Sequence, residues 1–218
     1  VLHYLRDDEV FFYLLLLVIG TVIVTAGLVS FGTYEMPTAF RFAAFEVVSI
    51  FTTTGFATAD FSTWPNMLPY LIFLGAFTGA CAGSTGGGMK VMRVMLICKQ
   101  GIREIHRLIH PNAIFPIKLN RRPVSAGVID SVWGFFSIYV IVFAGMMLAM
   151  MATGLDQVTA FSAVAATLNN LGPGLGDVSK GFMSLSDVAK WIAIAGMLLG
   201  RLEIFTLLVL VTPTFWRR

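Results

Sequence analysis

The chain has 218 residues, 57% of them hydrophobic and 12% charged, with a formal net charge of +3 and a mean hydropathy of +0.82. That balance excludes an ordinary soluble domain and makes a lipid bilayer the expected solvent. The two cysteines, Cys81 and Cys98, sit in apolar surroundings, are expected to be small buried hydrophobes and suggest no disulfide-built scaffold.

In chain order, Val10 to Phe31 is the first run long enough to cross the ~30 Å hydrocarbon core. It lacks the basic leader and small-residue cleavage site of a signal peptide, and the opening VLHYLRDDEV reads as a chain already under way. Ala39 to Phe51 is helix-like but too short to span, and it runs into TTTGFATAD. A second span extends from Asn66 to Cys98, interrupted by GSTGGGMK at residues 83–90. A basic segment follows over 99–127, then a third span from Val128 to Ala152. Gln157 to Leu168 is again too short to cross and runs into NNLGPGLGD, and Asp187 to Thr212 is the last span. Each short stretch is expected to be a re-entrant half-helix. Helices lying in the interface fit the same lengths, but the glycine-bearing segment after each favours a return to the side of entry.

The basic residues give the orientation. Lys90, Arg93, Lys99, Arg103, Arg107, Lys118, Arg121 and Arg122 face Glu104 as the sole acid between residues 90 and 122, so this segment is expected in the cytoplasm. An even number of spans then puts both termini on that side, with the half-helices entering from outside. His106 and His110 share a helix face, but the neighbouring Arg103 and Arg107 disfavour a divalent metal there.

The chain also repeats itself. Laid on itself without gaps so that Ala43 falls on Ala160, it matches Val47 with Val164, Asp60 with Asp177, Ser62 with Ser179, and Leu68 with Leu185. Gly55 falls on Gly172 at the foot of each half-helix, and Gly83 on Gly200 in the outgoing helix. Two copies of span, half-helix, loop and span are the simplest account. Non-helical backbone at membrane depth is tolerated only where it is buried in protein or lines a water-filled path, so the two glycine segments are expected to line a pore. A half-helix entering from outside directs its partially negative C-terminus toward the membrane centre, where it favours a cation. The backbone beyond it can offer carbonyl oxygens in place of the ion's hydration shell.

GSTGGGMK is superficially similar to a phosphate-binding loop. The fit fails, because that motif needs Lys at 89 and Ser or Thr at 90 where the chain has Met89 and Lys90, with no preceding strand. A kink between closely packed helices is a second reading, supported by Gly75, Gly79, Ala80 and Ala82. The glycine density of residues 83–88 exceeds what a kink needs and points to an irregular intramembrane loop, with Ser84 and Thr85 able to satisfy freed backbone groups.

FTTTGF, GSTGGGMK, LNNLGPGLG and GRLEIFTLLVLVTPTFWR together resemble the Trk, Ktr and HKT superfamily of potassium transporters over nearly the whole chain. The resemblance implies K⁺ as the transported ion, with no organic cofactor. It places one filter segment at Thr52, Thr53, Thr54 and Gly55 and another at Asn169, Asn170, Leu171 and Gly172. It makes Gly83, Ser84, Thr85, Gly86, Gly87 and Gly88 a gating loop that obstructs the cytoplasmic side of the pore. The family's chains carry four pore units and this one carries two, so it is expected to be the third and fourth, completed by the other half of the same pore. The family further implies a homodimer in the bacterial inner membrane, surrounded by lipid, with a TrkA-like cytosolic nucleotide-binding regulator and no nucleic acid.

Arg201 occupies the repeat position of Ser84, inside an apolar span where a charge faces a cavity or a partner. Glu203, two positions on, does not share its helix face and is not expected to pair with it. One reading is a buried arginine bonded to backbone carbonyls of a neighbouring helix. The other, strengthened by a similarly placed arginine in the family, is a positive charge near the pore that tunes cation passage.

The expectation is an all-α membrane protein of two span, half-helix, filter and span units, residues 1–98 and 128–218, joined by a basic cytoplasmic loop over 99–127. It conducts K⁺ selectively through a gated filter. Symport coupled to H⁺ or Na⁺ fits the same architecture, and flux that follows the K⁺ gradient alone separates the two. A non-conducting scaffold is a third reading, which unchanged cation flux on substituting Gly55 would favour. No carboxylate pair, nucleophile with base, or metal-ligand cluster suggests an enzyme.

Overall fold

A computed structural model of the chain describes residues 7–65, 67–202 and 204–216. Helix α1 (Asp8–Ser30) begins at Asp7, whose carboxylate accepts from the N–H of Glu9 at 2.9 Å and of Val10 at 3.4 Å. Asp8 and Glu9 in its first turn also suit the positive end of the helix dipole. Its 23 residues reach about 34 Å at 1.5 Å per residue, enough for the hydrocarbon core. Helix α5 (Ala126–Ala152) is the second described helix long and apolar enough to cross a membrane. Val18 and Val22 on α1 and Ile141 and Leu148 on α5 are exposed, as expected of side chains that face lipid.

The half-helices are α2 (Met36–Phe51), with Pro37 in its first turn, and α6 (Gln157–Leu168). At about 24 Å and about 18 Å, neither crosses the bilayer. Helix α2 packs against α1 and α3 (Leu68–Thr78), with Val47 and Ile50 meeting Val24, Leu28, Leu68, Ile72 and Phe73 in one core. Helix α6 packs between α5 and α7 (Asp187–Arg201), where Ala160, Ala163 and Val164 meet Met150, Val178, Ala189 and Ala193. The alanines of α6 let the three helices approach closely. The regular structure of the described residues is almost wholly α-helical, and each half-helix lies in a core, the first of which also takes in Ala165, Leu171 and Leu175 from the second unit.

Asp156 starts α6. Its side chain accepts from the backbone of Val158 at 3.0 Å and Thr159 at 3.2 Å. Hydrogen bonding from Thr159 holds this exposed carboxyl below the usual carboxylate range. A depressed carboxylate stabilises the fold above its unfolded pKa and loses that contribution as pH falls through the folded value. Asp156 is the N-cap of α6, so Asp156→Ala should cost about 1 kcal/mol near neutral pH. The gap in unfolding temperature between parent and variant, measured in detergent, should narrow below the usual carboxylate range.

The outgoing helices are not continuous. Helix α3 ends at Thr78, residues 79–90 are irregular, and α4 resumes over Val91–Ile109. The expected start of this span at Asn66 lies outside the described residues. Helix α4 also continues past Cys98 through much of the basic segment, because Lys99, Arg103 and Arg107 alternate with Ile102, Ile105 and Ile109 at helical spacing. A hairpin of β1 (Lys118–Leu119) and β2 (Arg122–Pro123) follows, its turn made by Asn120 and Arg121 at φ 48° and 64°, as a type I′ turn requires. Asn120 ties it to the start of α1, donating from its backbone N to Asp8 at 2.9 Å and from Nδ2 to Asp7 at 3.0 Å. Lys99 pairs with Asp8 at 3.6 Å.

The last span is broken as well. Helix α7 stops at Arg201, and α8 (Ile204–Val211) and α9 (Pro213–Trp216) follow. The single run expected from Asp187 to Thr212 is therefore corrected to two main pieces. The break adjoins Gly200, which the repeat places on Gly83 in the glycine loop.

Candidate functional site

Both half-helices end in the same backbone motif. In α2, the Thr53 N–H bonds the Ile50 carbonyl at 3.0 Å and the Thr54 N–H bonds that of Ser49 at 2.8 Å. In α6, the Asn170 N–H bonds Thr167 at 3.1 Å and the Leu171 N–H bonds Ala166 at 2.8 Å. These are paired Schellman closures, with Thr53 (φ 54°) and Asn170 (φ 52°) at the left-handed position normally given to glycine. For a β-branched threonine that conformation is strained. Two residues later Gly55 and Gly172 take φ 82° and 107°, so the chain turns twice over four residues in both units. The segments touch: a Cβ built on Gly55 would lie 2.0 Å from the Leu171 carbonyl oxygen. Side chains do less. The Thr52 hydroxyl donates back to the Val48 carbonyl at 2.7 Å and lies 2.7 Å from the Thr54 hydroxyl. Asn169 is fully buried, its Oδ1 accepting from the Tyr139 hydroxyl at 2.6 Å.

The glycine loop lies against both segments. Gly87 donates its N–H to the Thr53 hydroxyl at 2.8 Å, and a Cβ there would fall 1.7 Å from the Asn169 carbonyl oxygen. The loop's ends are clasped by hydrogen bonds from the Met89 N–H to the Phe77 carbonyl at 3.1 Å and from the Val91 N–H to the Ala80 carbonyl at 3.2 Å. The Ser84 hydroxyl satisfies the Cys81 carbonyl at 2.7 Å, as the sequence suggests. The carbonyls of Ser84, Thr85 and Gly86 are met by cations. Lys90 Nζ donates to Ser84 at 2.8 Å and Gly86 at 2.5 Å, and Arg201 Nη1 donates to Thr85 at 2.5 Å. Glu9, from the start of α1, accepts from the Ala82 N–H at 2.6 Å.

A cavity of about 340 Å³ opens among Gly83–Gly88, Leu168, Tyr139, Lys90, Arg93 and Arg201. The sequence-predicted site residues fall in one region, with residues 52–55 and 169–172 side by side and the glycine loop against them. Arg201 is exposed and bonds the loop rather than a neighbouring helix. Glu203, the residue weighed as its partner, lies outside the described residues. Three contributors escaped the sequence reading: Lys90, assigned to the basic segment; Glu9, hidden among the acids opening α1; and Glu46 on α2, whose carboxylate accepts from the Thr58 and Ala59 N–H groups just beyond Gly55. An ionisable residue within an apolar half-helix was the signal available for the last.

A profile of the TrkH family of cation transport proteins matches residues 2–218. The Trk system potassium uptake protein TrkH of Halomonas elongata is 55% identical over 216 residues, covering 99% of this chain and 45% of that protein. TrkH of Escherichia coli K12 is 59% identical over 175 residues, covering 80% of this chain and 36% of that protein. The chain therefore spans less than half the length of these relatives. The crystal structure of the potassium transporter TrkH from Vibrio parahaemolyticus superposes with a TM-score of 0.93 at 51% identity, covering 98% of this chain and 46% of that one. These relatives are named as transporters, not enzymes. The match in fold and sequence covers nearly the whole chain, and the chain belongs to the TrkH family of cation transport proteins.

Proposed function

We propose that the chain supplies two pore units of a potassium uptake system, residues 1–98 and 128–218, joined by a basic cytoplasmic segment over 99–127. K⁺ moves down its electrochemical gradient through the ring to which Thr52–Gly55 and Asn169–Gly172 contribute two quarters, and the other half of the same four-unit pore supplies the rest. The observation that carries this reading is the shared backbone of the two segments, each a left-handed residue followed by a left-handed glycine at the end of a half-helix. Such a backbone can turn successive carbonyls toward one axis, where they replace the water around a dehydrated cation. The partially negative ends of α2 and α6 add to the attraction.

Residues Gly83–Gly88 form the gate, held closed by Thr53, Lys90, Arg201 and Glu9. Arg201 adds a positive charge along the path below the filter. The names of the relatives support K⁺ as the ion. The assembly is a homodimer in the bacterial inner membrane, and a TrkA-like nucleotide-binding regulator docks on its basic face. The test is ion flux by the complete transporter chain in proteoliposomes. K⁺ flux should follow the K⁺ gradient alone and exceed Na⁺ flux. A requirement for an H⁺ or Na⁺ gradient would replace conduction with symport, and absence of K⁺ flux would refute the reading.

A further inference from the structure

Glu46 lies on α2 and is fully buried. Its Oε1 accepts from the Thr58 N–H at 2.6 Å, the Thr58 hydroxyl at 3.1 Å and the Ala59 N–H at 3.1 Å. Its Oε2 is buried with no hydrogen-bond partner among the described residues. A carboxylate held this way is costly unless the bonds it makes are needed. Packing does not require it, because the repeat places Ala163 at the same position of α6, also fully buried.

The need lies in the limb that leaves Gly55. Residues 56–60 belong to no helix or strand and are exposed or half-buried, so side chains rather than a regular ladder must fix their backbone in one place. The limb is fixed at Phe56, whose carbonyl accepts from the Ser49 hydroxyl at 2.5 Å, and then at Thr58 and Ala59 by Glu46. The second unit solves the same problem with neutral groups. Ser162 bonds both the Leu175 N–H at 2.9 Å and the Leu175 carbonyl at 3.0 Å, and the Thr159 hydroxyl accepts from the Asp177 N–H at 3.2 Å. The two filter segments are alike in backbone, but only the first hangs on a buried carboxylate.

We propose that Glu46 is a positioning residue for ion selectivity, its carboxylate fixing the limb after Gly55 and through it the carbonyls of Thr54 and Gly55. The proposal rests on the filter reading of these segments. Without the carboxylate the Thr58 and Ala59 N–H groups lose their acceptor, the limb is held less firmly, and the carbonyl ring can widen to accept other cations.

The test measures K⁺/Na⁺ permeability ratios of the complete transporter chain in proteoliposomes, with flux normalised to reconstituted protein. Glu46→Leu, which keeps bulk and removes the acceptor, should lower the ratio about tenfold with K⁺ flux retained. Glu46→Gln, whose amide oxygen can still accept from both N–H groups, should stay within about twofold of the parent. A role in stability alone would instead reduce yield and leave the ratio of the assembled molecules unchanged. Glu46→Asp retains the charge on a shorter arm and guards against failure of the leucine variant to assemble; its ratio should fall about threefold. A parental ratio in either the leucine or the aspartate variant overturns the proposal. Gly55→Ala, run alongside, separates the two levels. If it lowers the ratio while Glu46→Leu does not, the role of Glu46 alone fails; if neither changes it, the filter assignment falls first.

Discussion

Replacing Gly55 with valine in the complete transporter should lower the K⁺/Na⁺ permeability ratio by about tenfold or more, because the filter cannot keep its geometry around a side chain there. Two independent costs meet at this residue. Its φ of 82° lies in the left-handed region, where L-residues are disfavoured by about 1–2 kcal/mol. Any Cβ would also lie 2.0 Å from the Leu171 carbonyl oxygen, so that carbonyl or Gly55 itself must move. Movement of either disturbs a group assigned to coordinate the ion, and the damage passes from the first unit's segment to the second's. Gly172 provides the control. Its φ is 107°, yet a Cβ there meets nothing within 4 Å, so Gly172→Ala should carry the backbone cost alone and reduce selectivity less. Reversal potentials under mixed K⁺ and Na⁺ provide the measurement, and equal ratios in Gly55→Val and parent would end the filter assignment.

Deleting Gly83–Gly88 should raise basal K⁺ flux by about tenfold and weaken its dependence on a cytosolic regulator, since an obstruction contributes a barrier that its removal abolishes. The hydrogen bonds that clasp the loop's ends, Met89 to Phe77 and Val91 to Ala80, lie outside the deleted residues. A loop serving only to kink the helix predicts misfolding instead, and normal expression with parental flux would refute the gate. Arg201→Ala is the milder form of the same experiment. It removes the donor to the Thr85 carbonyl and a positive charge that repels a K⁺ ion ~8 Å away by roughly 2 kcal/mol at an effective dielectric of about 20. Flux should rise severalfold with selectivity kept. Arg201→Gln divides the two contributions, because its amide can still donate to Thr85 but carries no charge. A rise equal to that of alanine assigns the effect to charge, and parental flux assigns it to the hold on the loop.

Much of the architecture was legible because a bilayer imposes lengths. A chain segment crosses ~30 Å of hydrocarbon or it does not, and α6 falls on the residues expected from that rule, Gln157 to Leu168. The turns were legible at Gly55 and Gly172 because the repeat marked them and glycine is the residue that takes positive φ without penalty. The same φ at Thr53 and Asn170 was not, since neither residue type announces it; the Schellman closure imposes it. The extension of α4 to Ile109 was legible in part: the shared face of His106 and His110 read as helix, but the solvated basic face lowers hydropathy and set the end of the span at Cys98.

By itself the sequence determined the solvent, the two short helices that cannot cross it, their twofold repetition and the glycines at which the backbone turns after each. These follow from residue types and spacings along one chain. Tertiary structure alone decided which groups meet: Thr53 with Gly87, Arg201 with Thr85, Glu9 with Ala82, and Glu46 with Thr58 and Ala59. Lys90 shows why. Beside Arg93 and Lys99 it reads as one more charge of the basic segment, yet its φ of 72° accompanies a turn that brings the ammonium back to the carbonyls of Ser84 and Gly86. A freed carbonyl must be satisfied by some donor wherever water is scarce, but which donor reaches it depends on how separate helices pack, and spacing along the chain does not encode that approach.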